Sequence, residues 1–508
     1  MILFEFRLAY DRFLLDAGTK HMAFYESLRE AILSGQLPYG TRLPSSRSLA
    51  AMYGVSRGVV TEAYDMLYSE GYVTARKGSG TFTAYRPPDS GPIRHAAAKS
   101  SPVKNVIAES SAASPNRDGF SFAGTAWARR LLATHETEGR TVGEERGQLF
   151  SAGLTDERLF PTAEWKSCMY AEVRQSGTAK LAKDNPTEGD FQLRSKIASE
   201  LRRERGIVAS PEHIVLTNGS MQAVGILCQL LVEPGISVVL ENPCYRGFKR
   251  AVSAAGGAVV SASVDEQGIV PRHWDSSLLF VTPSRQFPTG AVLSHQRRTA
   301  LLHWAAERGA LIVEDDYDSE FRYGGRPVEP LKSLDRQERV VYIGTFSKTM
   351  FSGLRIGYAV LPPWLSEPFR RAKSLFEPST AGLTEQGALS RFMGSGGYGR
   401  HLRRMRRHYG RRLAALQQGL RRLPGGMFSF VPANSGLHQY VAWKGEQDSY
   451  SAFLNACLSE GLGWSDGAGN WHDKPLESGG TFGFGHLTED EISAGMQRIR
   501  AIAHKLGL

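Results

Sequence analysis

Lys348 stands between two hydroxyl side chains in a stretch whose residue types could carry covalent chemistry. Before it, residues 340–344 alternate β-branched and aromatic side chains, which predicts a buried strand, and residues 356–361 predict the next one. Lys348 therefore lies on the turn between two strands, where its amine can form a Schiff base with an aldehyde cofactor. The pattern alone also allows an ordinary lysine on an exposed loop.

Three neighbouring side chains suit the phosphate group of such a cofactor. Thr345 and Ser347 offer hydroxyl groups, and Arg355 offers a planar guanidinium whose geometry matches two phosphate oxygens. The same stretch would also accommodate Arg355 as a structural residue far from the lysine.

A second candidate phosphate site follows the strand predicted over residues 214–217. Gly219, Ser220 and Met221 open an apolar helix there, and the N–H groups of a helix N-terminus attract anions. The signal is weak by itself because many helices that follow a strand begin with a small residue.

Aromatic and acidic side chains follow two other predicted strands. Tyr245 comes just after residues 238–241, where its ring could stack on a flat cofactor or pack in an ordinary core. Asp315 and Tyr317 follow residues 310–314, where a carboxylate can pair with a protonated pyridine nitrogen and a phenol can reach the ring oxygen. The alternative is an acidic loop exposed to water.

The elements that must position these side chains alternate between helical patterns and short apolar strands. The predicted strands are residues 214–217, 238–241, 278–282, 310–314 and 340–344. This alternation predicts an α/β fold with a mostly parallel sheet covered on both faces, whose ligand sites lie beyond the carboxyl ends of the strands. All of the candidate residues described so far follow such strand ends.

Residues 20–85 form a separate pattern of three amphipathic helices followed by a hairpin with a basic, glycine-rich tip. This order predicts a winged helix-turn-helix, a DNA-binding arrangement. Residues 86–119 are rich in proline, serine and alanine, which predicts a flexible linker. The predicted domains are therefore 1–85, 86–119 and 120–508.

Composition is that of a globular protein of 508 residues with a formal net charge of +10, which permits an anionic partner without requiring one. The four cysteines are far apart and show no paired ligand spacing, which favours a reducing cytoplasm and no metal site. No apolar segment is long enough to predict a membrane span, and charged residues interrupt the N-terminal segment, which argues against a signal peptide.

The sequence from Leu43 to Tyr72 resembles the GntR family of bacterial regulators. The resemblance lies in the motifs LPSSRSLA, GVSRGVV, AYDML and EGY. The resemblance implies contacts with double-stranded operator DNA from Arg47, Ser56, Arg57 and Gly58, and from Lys77, Gly78 and Gly80 in the wing. An arginine at the start of a recognition helix can reach a guanine edge or a phosphate. The alternatives are solvated arginines and a wing that contacts protein.

The chain from about Phe120 to its end resembles the fold type I aminotransferases, which use pyridoxal 5′-phosphate. The resemblance implies that Lys348 forms the Schiff base, Asp315 pairs with the pyridinium nitrogen, Tyr317 contacts the phenolate oxygen and Tyr245 stacks on the ring. It also implies a phosphate cradle made of Gly219, Ser220, Met221, Thr345, Ser347 and Arg355.

The predicted DNA-binding domain (residues 1–85, the head) and the aminotransferase-like domain (residues 120–508, the body) together resemble the MocR (GabR-like) subfamily. The motifs EDDYDSEFRY and QFPTG are typical of that subfamily. The resemblance implies a homodimeric regulator that depends on pyridoxal phosphate and responds to an amine, an amino acid or the cofactor itself. One alternative is an active aminotransferase with a DNA-binding appendage. Another, disfavoured by the presence of Lys348, Asp315, Tyr317 and Arg355, is a body that binds no cofactor.

Three positions depart from what the resemblance leads one to expect. Thr481 stands where aminotransferases carry the arginine that binds the substrate carboxylate, and a threonine cannot form a bidentate charged clamp. Phe287 stands at a position that is commonly asparagine, and Arg285 at one that is usually histidine in the subfamily. We therefore expect slow or absent turnover, and Arg285 is a candidate substitute cation.

Overall fold

The computed structural model describes residues 8–17, 19–76, 79–85, 125–136, 148–175, 186–324 and 329–508. The chain divides into two compact units, Met1–Ser114 and Pro115–Leu508.

The N-terminal unit contains helices followed by a hairpin. Its elements are α1 (Tyr10–Ala17), α2 (Lys20–Leu33), α3 (Ser46–Tyr53), α4 (Arg57–Ser69), β1 (Val73–Arg76) and β2 (Gly80–Thr83). The three predicted helices and the hairpin are present, and α1 precedes them without having been predicted. Phe24, Leu28, Leu49, Val60 and Leu67 are fully buried between the helices, so each helix uses its apolar stripe to form one small core.

Both ends of α3 have a capping residue, whereas the residues before α2 and α4 form no side-chain cap. Ser45 precedes α3 and its Oγ accepts a hydrogen bond from the N–H of Ser48 at 3.1 Å. Gly54 ends the same helix with a φ of +62°, a conformation that glycine adopts without strain. Ser56 occupies the position before α4, but its side chain makes no capping hydrogen bond.

The second unit is built around one large sheet. Its strands are β3 (Ile214–Thr217), β4 (Ser237–Asn242), β5 (Ala258–Asp265), β6 (Gly268–Ile269), β7 (Leu278–Val281), β8 (Leu311–Asp316), β9 (Val340–Thr345) and β10 (Gly357–Val360). Their order across the sheet is β3-β10-β9-β8-β7-β4-β5-β6. Strands β4, β5, β7, β8 and β9 run parallel, and β10 runs antiparallel to both its neighbours. The mostly parallel sheet is thereby confirmed.

Helices cover both faces of this sheet. They are α5 (Ala126–Glu136), α6 (Thr162–Gln175), α7 (Phe191–Arg205), α8 (Ser220–Leu231), α9 (Arg246–Ala255), α10 (His295–Arg308), α11 (Leu331–Leu334), α12 (Pro363–Ser374), α13 (Leu383–Gly394) and α14 (Gly397–Arg421). Val341 and Ile343 of β9 share a core with α8 and α12. Tyr342, between them in sequence, lies in the core that contains residues of α7 and α14 on the other face.

A smaller antiparallel sheet completes the unit. It consists of β11 (Phe428–Ser429), β12 (His438–Trp443), β13 (Ser465–Asp466) and β14 (Gly479–Gly483), in the order β11-β12-β14-β13. Helices α15 (Gln447–Ser459) and α16 (Glu489–Lys505) contribute buried residues to the core that also contains Tyr342. Within the residues that the structure describes, no helix is both long and apolar enough to cross a membrane.

Candidate functional site

The candidate residues of the body converge on one edge of the large sheet. Strands β8 and β9 are parallel neighbours, so Asp315 and the turn that follows Thr345 lie at the same end. Gly357 at the start of β10 pairs with both Thr345 and Thr217, which brings the end of β3 to this edge as well. The predicted convergence of strand ends is therefore confirmed.

Lys348 lies on the turn after β9, with its amine turned toward the protein. Its Nζ donates a hydrogen bond to the carbonyl oxygen of Gly153 at 2.6 Å. Gly153 has a φ of +83°, and a Cβ at this position would lie 2.8 Å from Nζ. Burial lowers the pKa of Lys348, Arg355 lowers it further and Asp318 opposes the change. A lowered pKa increases the fraction of neutral amine, which is the nucleophilic form.

Asp315 presents a buried carboxylate at the end of β8. Its Oδ1 has no hydrogen-bond partner among the described residues. Burial raises the pKa of Asp315 to about 7, with smaller contributions from Asp316 and Asp318. A buried carboxylate without a partner is costly, and a cationic N–H placed beside it would remove that cost.

Tyr317 and Arg285 belong to a buried polar cluster beside Asp315. Arg285 donates from Nη1 to the Tyr317 hydroxyl and to Oδ2 of Asp318, both at 3.2 Å. Its Nη2 donates to the carbonyl oxygen of His438 at 2.6 Å. Arg285 is therefore a cation of this region, but one already paired with the carboxylate of Asp318.

Aromatic side chains form a wall next to the cluster. The ring centroid of Phe287 lies 5.7 Å from that of Tyr245, 5.9 Å from that of Tyr317 and 5.5 Å from that of His438, with edge-to-face geometry in each case. Tyr245 is 39% exposed. Its contacts with Phe248 and Phe287 are both edge-to-face, so the face of the Tyr245 ring can receive a flat group.

Backbone and side-chain donors meet where α8 begins. Gly219 precedes this helix with a φ of +86°, and a Cβ there would lie 2.5 Å from Nη2 of Arg355. Arg355 itself has a φ of +52° and donates from Nη2 to the carbonyl oxygen of Asn218 at 3.0 Å. Thr345 donates from Oγ1 to Oγ of Ser347 at 3.1 Å. A guanidinium, two hydroxyls and a helix N-terminus therefore gather near one point.

The remaining two members of the predicted cradle lie on the first turn of α8. Ser220 is its first residue, and Met221 packs against the core shared with α12. A Cβ at Gly247 would meet both Met221 and Tyr245, so these two side chains border the same space.

Replacing Gly219 tests this cradle directly. We expect Gly219→Ala to lower cofactor affinity by about tenfold or more, since the methyl group would displace Arg355 and the positive φ strains alanine. Gly225→Ala on the same helix is the matched control, because a Cβ there meets nothing within 4 Å. Equilibrium dialysis of both variants measures the effect. Equal affinities in the two variants would remove Gly219 from the cradle.

Most of the predicted DNA-facing residues of the N-terminal unit lie on its surface. Arg47 on α3 and Ser56, Arg57 and Gly58 at the start of α4 are exposed, as is Gly80 at the hairpin. The Nε of Arg57 donates to Oγ of Ser46 at 3.3 Å, which links the two helices. Lys77 and Gly78 lie outside the described residues.

The site also contains Gly153, Asp318 and His438, which none of the sequence patterns described above predicts. Gly153 lies 195 residues before the lysine it contacts. It belongs to an irregular segment without a periodic pattern. Asp318 was visible in the acidic run after β8, and its pairing with Arg285 could have been suspected from charge alone.

Family models match both units. The model described as bacterial regulatory proteins, gntR family, matches residues 22–83. The model described as aminotransferase class I and II matches residues 160–463. A GntR-type head joined to a body of this class defines a transcription regulator with an aminotransferase-like domain.

Relatives with the same organisation match along nearly the whole chain. The probable rhizopine catabolism regulatory protein MocR of Rhizobium meliloti is 33% identical over 491 residues, which cover 95% of this chain and 93% of that protein. The pyridoxine biosynthesis transcriptional regulator PdxR of Corynebacterium glutamicum is 31% identical over 469 residues, 92% of each chain. The chain belongs to the MocR-type regulators of the GntR family.

Solved structures match the body. The kynurenine aminotransferase of Pyrococcus horikoshii, in complex with PMP, has a TM-score of 0.65 and 25% identity over 75% of this chain and 95% of its own. The α-aminoadipate aminotransferase LysN of Thermus thermophilus, complexed with N-(5′-phosphopyridoxyl)-L-leucine, has a TM-score of 0.66 and 25% identity over 75% of this chain and 99% of its own. The body has the fold type I aminotransferase architecture.

The cofactor of this body is pyridoxal 5′-phosphate, and the geometry fits that group. The unpartnered Oδ1 of Asp315 suits a protonated pyridine nitrogen. The space at Gly219 that a Cβ would fill suits a phosphate beside Arg355. Lys348, half-buried beside Gly153 and with a lowered pKa, suits an aldehyde carbon.

Proposed function

We propose that the body of this regulator binds pyridoxal phosphate at Lys348, senses a small amine, an amino acid or the cofactor itself, and thereby changes the affinity of the head for operator DNA. The observation that supports it is the Oδ1 of Asp315, which has no partner among the described residues and lies at the sheet edge shared with Lys348. The proposed domain limits are 1–85 for the head, 86–119 for the linker and 120–508 for the body. The proposed assembly is a homodimer in the cytoplasm.

The proposed roles follow the contacts of each side chain. Lys348 attaches the cofactor, Asp315 holds the proton on its ring nitrogen, Tyr317 binds the ring oxygen and Tyr245 covers the ring. The proposed phosphate cradle consists of Gly219, Ser220, Met221, Thr345, Ser347 and Arg355. When bound, the group supplies an aldehyde carbon that reacts with amines and a ring that withdraws electrons.

Arg285 has a supporting role in this proposal. Its hydrogen bond to the Tyr317 hydroxyl fixes the direction of that phenol. The ion pair with Asp318 keeps the arginine in place inside the protein. The carbonyl oxygen of Gly153 holds the Lys348 amine when it is not attached.

We propose further that amino-group transfer by this site is slow and that regulation is its main role. Thr481 offers no charge to fix a substrate carboxylate, and Arg285 is engaged by Asp318. Without fixed orientation of the substrate, proton transfer at Lys348 loses much of its rate advantage. Rapid multiple-turnover transamination would instead favour an aminotransferase with a DNA-binding appendage.

On DNA, we propose that Arg47, Ser56, Arg57, Gly58 and Gly80 contact the operator, together with Lys77 and Gly78 in the wing. The exposed arginines at the start of α4 and on α3 support this proposal, because the N-terminal end of a recognition helix is the part that enters the major groove.

Two reciprocal titrations test the link between body and head. Operator binding is measured with and without the cofactor or an amine, and small-molecule binding is measured with and without operator. We expect each ligand to change the affinity of the other by the same factor, because coupling between two sites is reciprocal. A factor of about 5–150 is typical of such coupling.

The control for these titrations is Arg57→Ala. We expect it to weaken operator binding by about 1–3 kcal/mol while leaving cofactor binding in the absence of DNA unchanged. If operator and small molecule bind independently in the wild-type protein, the regulatory part of the proposal is wrong.

A further inference from the structure

We infer that the ligand of the body is a primary amine without a carboxylate group. The inference rests on the proposed function, because it takes a cofactor-dependent amine site at Lys348 as given. It concerns which amines that site selects.

The small sheet presents one face to the site. In its register Thr481 pairs with Tyr440 of β12 and with Ser465 of β13, while His438 pairs with Gly483. Paired residues of antiparallel strands point to the same face. The imidazole of His438 on that face reaches Arg285 and Phe287, so Tyr440, Ser465 and Thr481 share the face that adjoins the site.

This face also lies close to the lysine amine. Oγ of Ser465 accepts a hydrogen bond from the N–H of Ala152 at 3.3 Å. The next residue, Gly153, accepts the hydrogen bond from Nζ of Lys348. A ligand nitrogen at Lys348 therefore has the face with Thr481 as a neighbour. Among the residues that the structure describes, the strand positions of that face carry hydroxyl groups and an imidazole but no lysine or arginine.

Arg285, the arginine next to this face, is already paired with the carboxylate of Asp318. The two Nη groups of Arg285 donate hydrogen bonds to Tyr317, Asp318 and His438. Its Nε lacks a partner among the described residues. A Cβ at Gly436 would overlap the guanidinium, so the arginine lies directly against the backbone there. A ligand carboxylate placed here would add a second negative charge to a pair that is already balanced, which is unfavourable in a buried site.

Arg355, the second arginine assigned to the site, stands at its phosphate end. Arg355 contacts Asn218 beside Gly219, the position proposed for the cofactor phosphate. In this proposal the cofactor phosphate occupies Arg355, and the cofactor ring occupies Tyr245 and Tyr317.

Matched pairs of compounds test the inference on the full-length protein loaded with pyridoxal phosphate. Each pair differs only by a carboxylate: 2-phenylethylamine against L-phenylalanine, and 3-methylbutylamine against L-leucine. Binding is followed by calorimetry and by the change in cofactor absorption. We expect each amine to bind at least about tenfold more tightly than its amino acid, since a buried unpaired charge is costly.

A charge added at the face should change that preference. Thr481→Arg is expected to raise the affinity for both amino acids by about tenfold or more, because a guanidinium can pair with the carboxylate. Ser451→Arg adds the same charge on the exposed side of α15 and should leave the preference as it is. Thermal melting and cofactor absorption show that each variant is folded and loaded. If Thr481→Arg does not fold, the comparison in the wild-type protein decides alone.

Two outcomes would overturn the inference, and they are distinguishable. If the amino acids bind the loaded wild-type protein as tightly as their amines, the selectivity is wrong while the proposed function stands. If the protein acquires no absorption from the cofactor, the proposed function is wrong and the inference fails with it.

Discussion

Lys348→Ala should abolish the visible absorption that pyridoxal phosphate gives when it is bound covalently to a protein. The amine of this residue is buried, has a lowered pKa and lies at the sheet edge shared with Asp315. Alanine removes the nucleophile and leaves the strand and turn around it intact. The cofactor can still bind through the phosphate cradle and Asp315, so we expect retained but weaker, noncovalent binding.

Lys249→Ala is the matched control for this experiment. Its Nζ donates to the carbonyl oxygen of His472 at 3.0 Å, and Lys249 lies on α9, the helix that follows Tyr245. We expect this variant to keep the absorption of the wild-type protein. Mass spectrometry after borohydride reduction locates the modified peptide. A cofactor adduct on any peptide other than the one containing Lys348 would contradict the assignment.

The parts of the site that could be predicted from sequence are those that follow a strand end. Lys348, Asp315 and Gly219 each come directly after or at the end of an apolar strand, and parallel strands bring such positions to one edge. The sequence pattern nevertheless predicts that strand β8 ends at residue 314. The strand continues through Asp316, because Asp315 and Asp316 pair with β9, and carboxylates are uncommon in a fully buried strand.

Other elements left little trace in the sequence. Strand β5 lies near the sheet edge with much of its length exposed, so Ala258–Asp265 has no continuous apolar run. The antiparallel direction of β10 could not be predicted, since side-chain periodicity is the same for both directions. The ion pair between Arg285 and Asp318 required the loops after β7 and β8 to be placed next to each other, which only the fold supplies.

Asp315→Asn should both weaken cofactor binding and reduce the dependence of stability on pH in the cofactor-free protein. Asparagine keeps the size of the side chain but cannot balance a protonated pyridine nitrogen. Losing one partner of a buried charge pair costs about 2–5 kcal/mol, so we expect a decrease in affinity of more than tenfold. Equilibrium dialysis of the variant and the wild-type protein measures this change.

The pH effect has a defined sign. Burial raises the pKa of Asp315 to about 7 in the folded protein, whereas an unfolded aspartate titrates at about 3.9. The folded state therefore holds a proton that the unfolded state has released, and stability falls as the pH rises from about 4 through 7. The loss is on the order of 1–4 kcal/mol for this one carboxyl.

Urea unfolding of the cofactor-free protein at pH 5 and pH 9 separates Asp315 from its neighbours. Burial also raises the pKa of Glu241 and of Glu314 to about 7, so part of the pH dependence will remain in the variant. The difference between wild type and Asp315→Asn isolates the contribution of Asp315. Cofactor should reduce the loss at pH 9 in the wild type alone, because the pyridinium then pairs with the carboxylate. Identical pH dependence in both proteins, with equal cofactor affinity, would place the ring nitrogen elsewhere.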